Sequence, residues 1–118
     1  MTGVFRRGHY FATSYTTGPQ WLQLLLDLQS ERIADPIVTA THECPIYGRP
    51  EDSIVRQAVL EGTDEANAEF KTTWHPLEIR FAYSGYDNQR CGLFKWAAYN
   101  VVKELALVGP DRIEVVQT

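Results

Sequence analysis

The sequence predicts a single α+β domain, folded as a two-layer sandwich in which two helices cover one face of a mainly antiparallel sheet. Short turn signals divide the chain into segments of strand or helix length. Apolar residues within those segments recur with a period of either two or about 3.6 residues. The predicted order is β-β-β-α-β-α-β, with about five strands, because this arrangement buries every apolar stripe. A chain of 118 residues corresponds to one domain, residues 1–118.

Three strands are predicted before the first helix. His9–Thr16 is rich in Tyr, Phe and Thr, and Ile37–Thr41 is rich in β-branched residues, both typical of strands. Trp21–Leu28 fits two structures: on a helix four of its apolar residues share a face, whereas on a strand its leucines alternate with other residues. The strand is favoured because a Thr-Gly-Pro turn precedes the segment and the alternation is strict.

The first helix is predicted to begin near Glu51 or Asp52, after the helix-entry residue Pro50. Acidic residues at this end complement the helix dipole. One apolar face follows, and it leaves two endings open: the helix stops at Gly62 or continues beyond it. The face comprises Val55, Ala58, Val59 and Gly62, with Ala66 and Phe70 added if the helix continues.

The second half of the chain alternates strand, helix and strand. Leu77–Tyr83 alternates cleanly between apolar and other residues, which predicts a strand with one buried face. A helix is predicted over Gln89–Leu107, and a last strand over Ile113–Val116. The helix has a buried stripe of Phe94, Ala98, Val101 and Leu105. Its far side is unusually apolar, so Leu93, Trp96 and Tyr99 are candidate interface residues.

Composition and charge restrict the class of protein. With 44% hydrophobic and 22% charged residues the chain is globular rather than disordered. Its net charge of −4 makes nucleic acid an unlikely partner, because phosphate backbones are repelled at long range. The basic pair Arg6-Arg7 is interpreted as part of a solvated N-terminal arm. A protein partner, self-association or a small molecule remain as partners.

The residues predict a cytoplasmic protein without a membrane partner. The first nine residues contain no apolar stretch typical of a signal peptide. No apolar run approaches the roughly 20 residues of a membrane span. We therefore expect Cys44 and Cys91 to remain thiols, as they do in a reducing compartment.

Metal and nucleophile motifs are sparse. His42-Glu43-Cys44 places two possible zinc ligands two residues apart, but zinc needs three or four, and no spacing fixes the contribution of His9, His75 or Cys91. Cys91 falls in the predicted first turn of the second helix, where the dipole lowers a thiol pKa. No base is tied to it by spacing, and its position near the buried stripe favours packing. We therefore predict no cofactor, no metal and no catalytic residue, and leave enzymatic activity open.

Loops before the two helices hold the best candidate binding residues. Loop residues at helix starts often carry binding sites, and the exposed amides there suit an anion. The same residues are also good turn and capping residues. The candidate binding residues are Tyr47, Arg49, Tyr83, Tyr86, Asp87 and Arg90.

A set of spaced motifs resembles domain IV of elongation factor G and its ribosome-protection relatives. It comprises Ala58-Val-Leu-Glu-Gly62, Pro76 before the strand Leu77–Tyr83, and Phe94-Lys-Trp-Ala-Ala98. Gly8-His9-Tyr10 also resembles the start of that domain in some relatives. The loop before the second helix is shorter here, and the family's GTP-binding domain is absent. The resemblance implies a fold with a left-handed crossover, and raises association with ribosomes or RNA as a third hypothesis.

The sequence thus predicts a protein that acts by binding. The leading hypothesis is a small acidic interaction protein that dimerises through the Leu93, Trp96 and Tyr99 surface. The alternative is a small-molecule binding module or enzyme with an aromatic pocket near Tyr47, Tyr83 and Tyr86.

Overall fold

The computed structural model describes residues 3–17, 20–30, 34–41, 50–84 and 92–115. Within them, six strands form one sheet and two helices pack against it, which confirms the α+β class. A short 3-10 helix, Pro110–Arg112, precedes the last strand. The elements are β1 Val4–Arg7, β2 Tyr10–Thr17, β3 Gln20–Gln29, β4 Ile37–Ala40, α1 Asp52–Phe70, β5 His75–Ser84, α2 Gly92–Val108 and β6 Glu114–Val115.

The sheet has the strand order β4-β5-β3-β2-β1-β6. Pairing is antiparallel between β1 and β2, β2 and β3, and β3 and β5. It is parallel between β4 and β5 and between β1 and β6, so the sheet is mixed. Parallel neighbours cannot be joined by a tight turn. The helix α1 therefore lies in the crossover from β4 to β5.

The N-terminal arm was expected to be solvated, and this expectation is wrong. Residues 4–7 form β1, which pairs with β2 from Val4 opposite Thr13 to Arg7 opposite Tyr10. Gly8 and His9 make a two-residue turn, and Gly8 has φ 61, a conformation that glycine adopts without strain. Arginine is not a typical strand residue, which concealed a strand whose side chains alternate between the two faces.

Segment Trp21–Leu28 is a strand, as predicted, and lies within β3. β3 is central, with β2 and β5 as its neighbours. Three of its even-numbered leucines have 1% of their surface or less exposed, on the face that the helices cover, and each pairs with a buried residue of β5. The pairs are Leu22 with Tyr83, Leu24 with Phe81, and Leu26 with Ile79. Alternation therefore decides this segment over the helix propensity of leucine.

The first helix continues through Gly62 and ends at Phe70. Gly62 is buried where α1 crosses α2, and an added Cβ would overlap the backbone carbonyl of Lys95. Such a Cβ would also lie 3.2 Å from the Cβ of Ala98. Glycine is therefore required here for close helix packing rather than for ending the helix. This contact outweighs its low helix propensity.

The C-cap residue of α1 is Lys71, which has the left-handed conformation φ 57°, ψ 48°. Its backbone N–H donates to the carbonyl of Asn67, as does that of Thr72. The Asn67 amide donates to the carbonyl of Trp74 at 2.7 Å and accepts from the Trp74 N–H at 3.2 Å. One side chain thus fixes the turn that leads from α1 into β5.

Both helices lie on the same face of the sheet. α1 packs against β4 and β5, and α2 packs against β2 and β3. The predicted stripe of α2 is buried. The ring of Phe94 lies edge-on to the ring of Phe81, with 5.5 Å between the ring centres. Among the described residues, no helix is long and apolar enough to span a membrane.

We expect Gly62→Ala to lower the free energy of unfolding by about 1–3 kcal/mol or more, because the methyl group forces the helices apart. Gly92→Ala is the matched control, since no atom lies within 4 Å of a Cβ added there. Its effect should stay below about 1 kcal/mol. Urea unfolding of both variants measures the difference. Equal effects of the two substitutions would contradict the close crossing.

Candidate functional site

The predicted loop cluster is only partly described. Tyr47, Arg49, Tyr86, Asp87 and Arg90 lie outside the described residues. Tyr83 lies in β5 with 1% of its surface exposed, and its ring packs 5.9 Å from that of Phe94. Tyr83 is therefore part of the hydrophobic core. A binding role for the cluster stays a prediction.

The candidate metal and thiol residues are likewise divided. His42, Glu43, Cys44 and Cys91 lie outside the described residues. In the part of the chain that the structure describes, no group of three or more potential ligands is close enough to hold a metal ion. His9 lies in the exposed β1–β2 turn, whereas His75 is buried at the start of β5.

The predicted interface residues occupy different environments on α2. Leu93 is partly buried and packs against the core. Trp96 is 50% exposed, and its ring lies edge-on to that of Tyr15, with 5.3 Å between the ring centres. Tyr99 is half-buried, and the centre of its ring lies 6.0 Å from the centre of the Phe70 ring. Trp96 is therefore the residue of this set most available to a partner.

A hollow of about 260 Å³ adjoins Trp96 on the outer side of the helices. It is lined by Glu65 on α1 and by Gly92, Lys95, Trp96 and Tyr99 on α2. Lys95 forms an ion pair of 3.1 Å with Glu65 across the two helices. The Tyr99 hydroxyl donates to Glu69, and this hydrogen bond raises the pKa of Tyr99. The surface thus combines an exposed aromatic ring, a hollow and charges of both signs.

The opposite face of the sheet carries a polar network that the sequence did not identify. Tyr10 on β2 donates its hydroxyl to Glu78 Oε1 at 2.9 Å, reaching across β3. Arg80 Nε donates to Glu78 Oε2 at 2.8 Å, and its guanidinium lies 5.5 Å from the centre of the Tyr10 ring. Glu78 therefore fixes the positions of both side chains.

Titration of Glu78 is coupled to this network. Partial burial raises the pKa of Glu78, but the hydrogen bonds from Tyr10 and Arg80 and the charge of Arg80 outweigh it, so the net pKa is lowered. Burial, together with the bond to Glu78, raises the pKa of Tyr10. At neutral pH the network therefore contains a charged Glu78 and a protonated Tyr10.

A concavity of about 640 Å³ lies on this same face. The arginines Arg7 and Arg80 line it, together with Tyr10, Gln23, Leu25 and Thr41. Sequence reasoning missed these residues because β1 was not predicted and because strand neighbours are distant in the chain. The alternation of Glu78 and Arg80 with buried residues was the available signal, since it placed both on the second face of the sheet.

Glu78→Gln should lower the free energy of unfolding by about 1 kcal/mol or less at pH 7, because it removes a partly exposed ion pair. The pKa of Glu78 is lower in the folded protein than in the unfolded chain. The stabilisation that Glu78 provides is therefore fully present above the pKa of an unfolded glutamate, about 4.3. It is lost as the pH falls through the pKa of Glu78 in the folded protein. Urea unfolding at pH 7 and pH 3 tests this. Asp64→Asn, exposed on α1, is the control. A Glu78→Gln deficit of equal size at both pH values would contradict the coupling.

Comparisons with protein-family models, with curated proteins and with solved structures find no match to this chain.

Proposed function

We propose that this protein is an interaction module that self-associates through the outer surface of α2 around Trp96. The half-exposed indole of Trp96 carries the proposal. Tryptophan is enriched among residues that dominate binding energy, because a large ring buries much surface when a partner covers it.

The composition of the surface favours a second copy of the chain as the partner. In a two-fold dimer the same patch meets itself, so it must supply both halves of each contact. Trp96 projects beside a hollow of about 260 Å³ that can receive an apolar group from a partner. Lys95 and Glu65 bring both charges, which suits reciprocal pairing about a two-fold axis.

Sedimentation should show a dimer for the unmodified protein, and Trp96→Glu should weaken association by at least tenfold, because a charge replaces the buried ring. Ile37→Glu is the matched control. Ile37 is 68% exposed on the edge strand β4, so the same change of charge there should leave the dimer intact. A monomer for the unmodified protein, or a dimer unaffected by Trp96→Glu, would refute self-association through this surface.

Association with ribosomes or RNA is a second candidate, proposed from the resemblance to domain IV of elongation factor G. The positions of Pro76 at the start of β5 and of Phe94–Ala98 on α2 support it, as does the helix crossover between parallel β4 and β5. Two features count against it. The net charge is −4, and α1 continues beyond Gly62, whereas the corresponding helix of that family ends in a glycine.

We expect the protein to co-sediment with ribosomes at low salt, if this second candidate is correct, and to be released as salt rises. The Trp96→Glu variant separates the two candidates, since a dimer defect alone leaves ribosome binding unchanged. Recovery of all the protein in the supernatant at low salt would exclude ribosome association.

A further inference from the structure

The outer seam between α1 and α2 contains a second hollow, at the end where both helices begin. Its volume is about 340 Å³. The apolar part of its wall is the half-buried Ile54 and the buried Ala58. The other lining residues are Ser53, Gln57 and Glu61 on α1 and Gly92 and Lys95 on α2. The hollow is open on the outer side of the domain, so it can receive an apolar side chain from a partner.

Contacts across the seam advance in steps of four residues on both helices. Lys95 Nζ lies 3.1 Å from Glu65 Oε2, and one turn further along, the Tyr99 hydroxyl donates to Glu69. The two helices therefore run side by side in the same direction over this stretch. Lys95 lines both the hollow at Ile54 and the hollow beside Trp96, so the two hollows form one groove along the seam. A groove of this kind can hold a third helix.

A row of glutamates borders the groove on α1. Glu61, Glu65 and Glu69 are exposed and spaced by four residues, so they follow one side of the helix at intervals of about 6 Å. Gln57 Nε2 donates to Glu61 Oε1 at 3.0 Å, and the contacts across the seam hold the other two. A carboxylate can accept about four hydrogen bonds. Each glutamate is therefore held in position and keeps acceptors for an incoming cation.

The groove has an excess of negative charge. Among the described residues that line the two hollows, Lys95 is the one basic residue, and it is paired with Glu65. Arg56 on α1 is directed elsewhere, since its Nε donates to the carbonyl of Pro36 at 3.0 Å. Glu61 and Glu69 have neutral donors as their described partners, so these partners leave their charges unmatched. An acidic border beside an apolar groove complements a basic amphipathic helix.

We propose that this groove binds a basic amphipathic helix of a partner protein. Lysines or arginines spaced four residues apart on that helix pair with the glutamate row, and an apolar residue beside them enters the hollow at Ile54. Neither described helix has basic residues spaced by four, so α1 and α2 of a second copy do not supply this partner. The inference goes beyond self-association. Because Gly92 and Lys95 line both hollows, a helix along the whole groove competes with a second copy at Trp96.

Three synthetic helical peptides test the chemistry of the partner by calorimetry with the full chain. The first, the lysine-row peptide, has lysines spaced by four residues and a neighbouring row of leucines. In the second, glutamates replace the lysines, and in the third the same lysines are scattered around the helix. We expect the lysine-row peptide to bind at least tenfold more tightly than either of the others. Equal binding of the scattered peptide, or no binding of the lysine-row peptide, would overturn the proposal.

Two exposed glutamates provide matched variants for the position of the groove. Glu61→Lys should weaken binding of the lysine-row peptide by about fivefold or more. Glu114→Lys makes the same change on β6, at the far edge of the sheet, and should alter the affinity by less than about twofold. Equal effects of the two variants would overturn the site. Glu61 does not line the hollow beside Trp96, so Glu61→Lys should leave the sedimenting dimer intact, which separates this test from that of self-association.

A double-mutant cycle tests the apolar contact at Ile54. Replacing the leucines of the lysine-row peptide by alanine should lower its affinity for the unmodified protein by about tenfold or more. Ile54→Ala should reduce this difference to less than about threefold, because it removes the apolar wall of the hollow. A difference that Ile54→Ala leaves unchanged would overturn the placement of the partner's apolar residues in this hollow.

Discussion

The close crossing of α1 over α2 at Gly62 is the contact on which the arrangement of the domain depends. The absence of a side chain lets the α1 backbone approach the Lys95 carbonyl of α2. Because the helices lie so close, α1 can cover β4 and β5 while α2 covers β2 and β3. One face of the sheet is thereby buried under two helices. The other face carries the polar network of Tyr10, Glu78 and Arg80.

The two sides of the domain consequently present different chemistry. The outer surface of the helices carries the exposed ring of Trp96, with Lys95 and Glu65 beside it. The face opposite α1 and α2 carries Arg7 and Arg80 at a concavity whose lining includes Leu25. This division follows from the period of two along each strand, since it sends Leu24 and Leu26 to the helices and Leu25 to the opposite side.

Much of the fold could be predicted from apolar periodicity. β3, β5 and both helices follow their stripes, and even the ambiguous Trp21–Leu28 is decided correctly by alternation. β1 could not be predicted, because Arg6 and Arg7 are not among the residues that are enriched in strands and their pairing with β2 is a tertiary effect. The choice between a helix that stops at Gly62 and one that continues could not be made for a related reason: whether glycine ends a helix or admits a neighbour depends on what packs against it.

The candidate sites were less accessible to sequence reasoning. Trp96 was identified because a helical wheel places it opposite the buried stripe, whereas burial of Leu93 against the core depends on packing that the wheel does not contain. Arg7 lies on β1 and Arg80 on β5, and Thr41 directly follows β4. Only the strand order brings them to one concavity, and that order includes two parallel pairings which no local pattern indicates.

A NOESY spectrum of the protein tests most directly the claim that α1 and α2 cross in contact at Gly62. Cross-peaks should connect the α-protons of Gly62 with the methyl protons of Ala98, because a Cβ added at Gly62 would lie 3.2 Å from the Ala98 Cβ. An absence of these cross-peaks, with both sets of resonances assigned, would contradict this account.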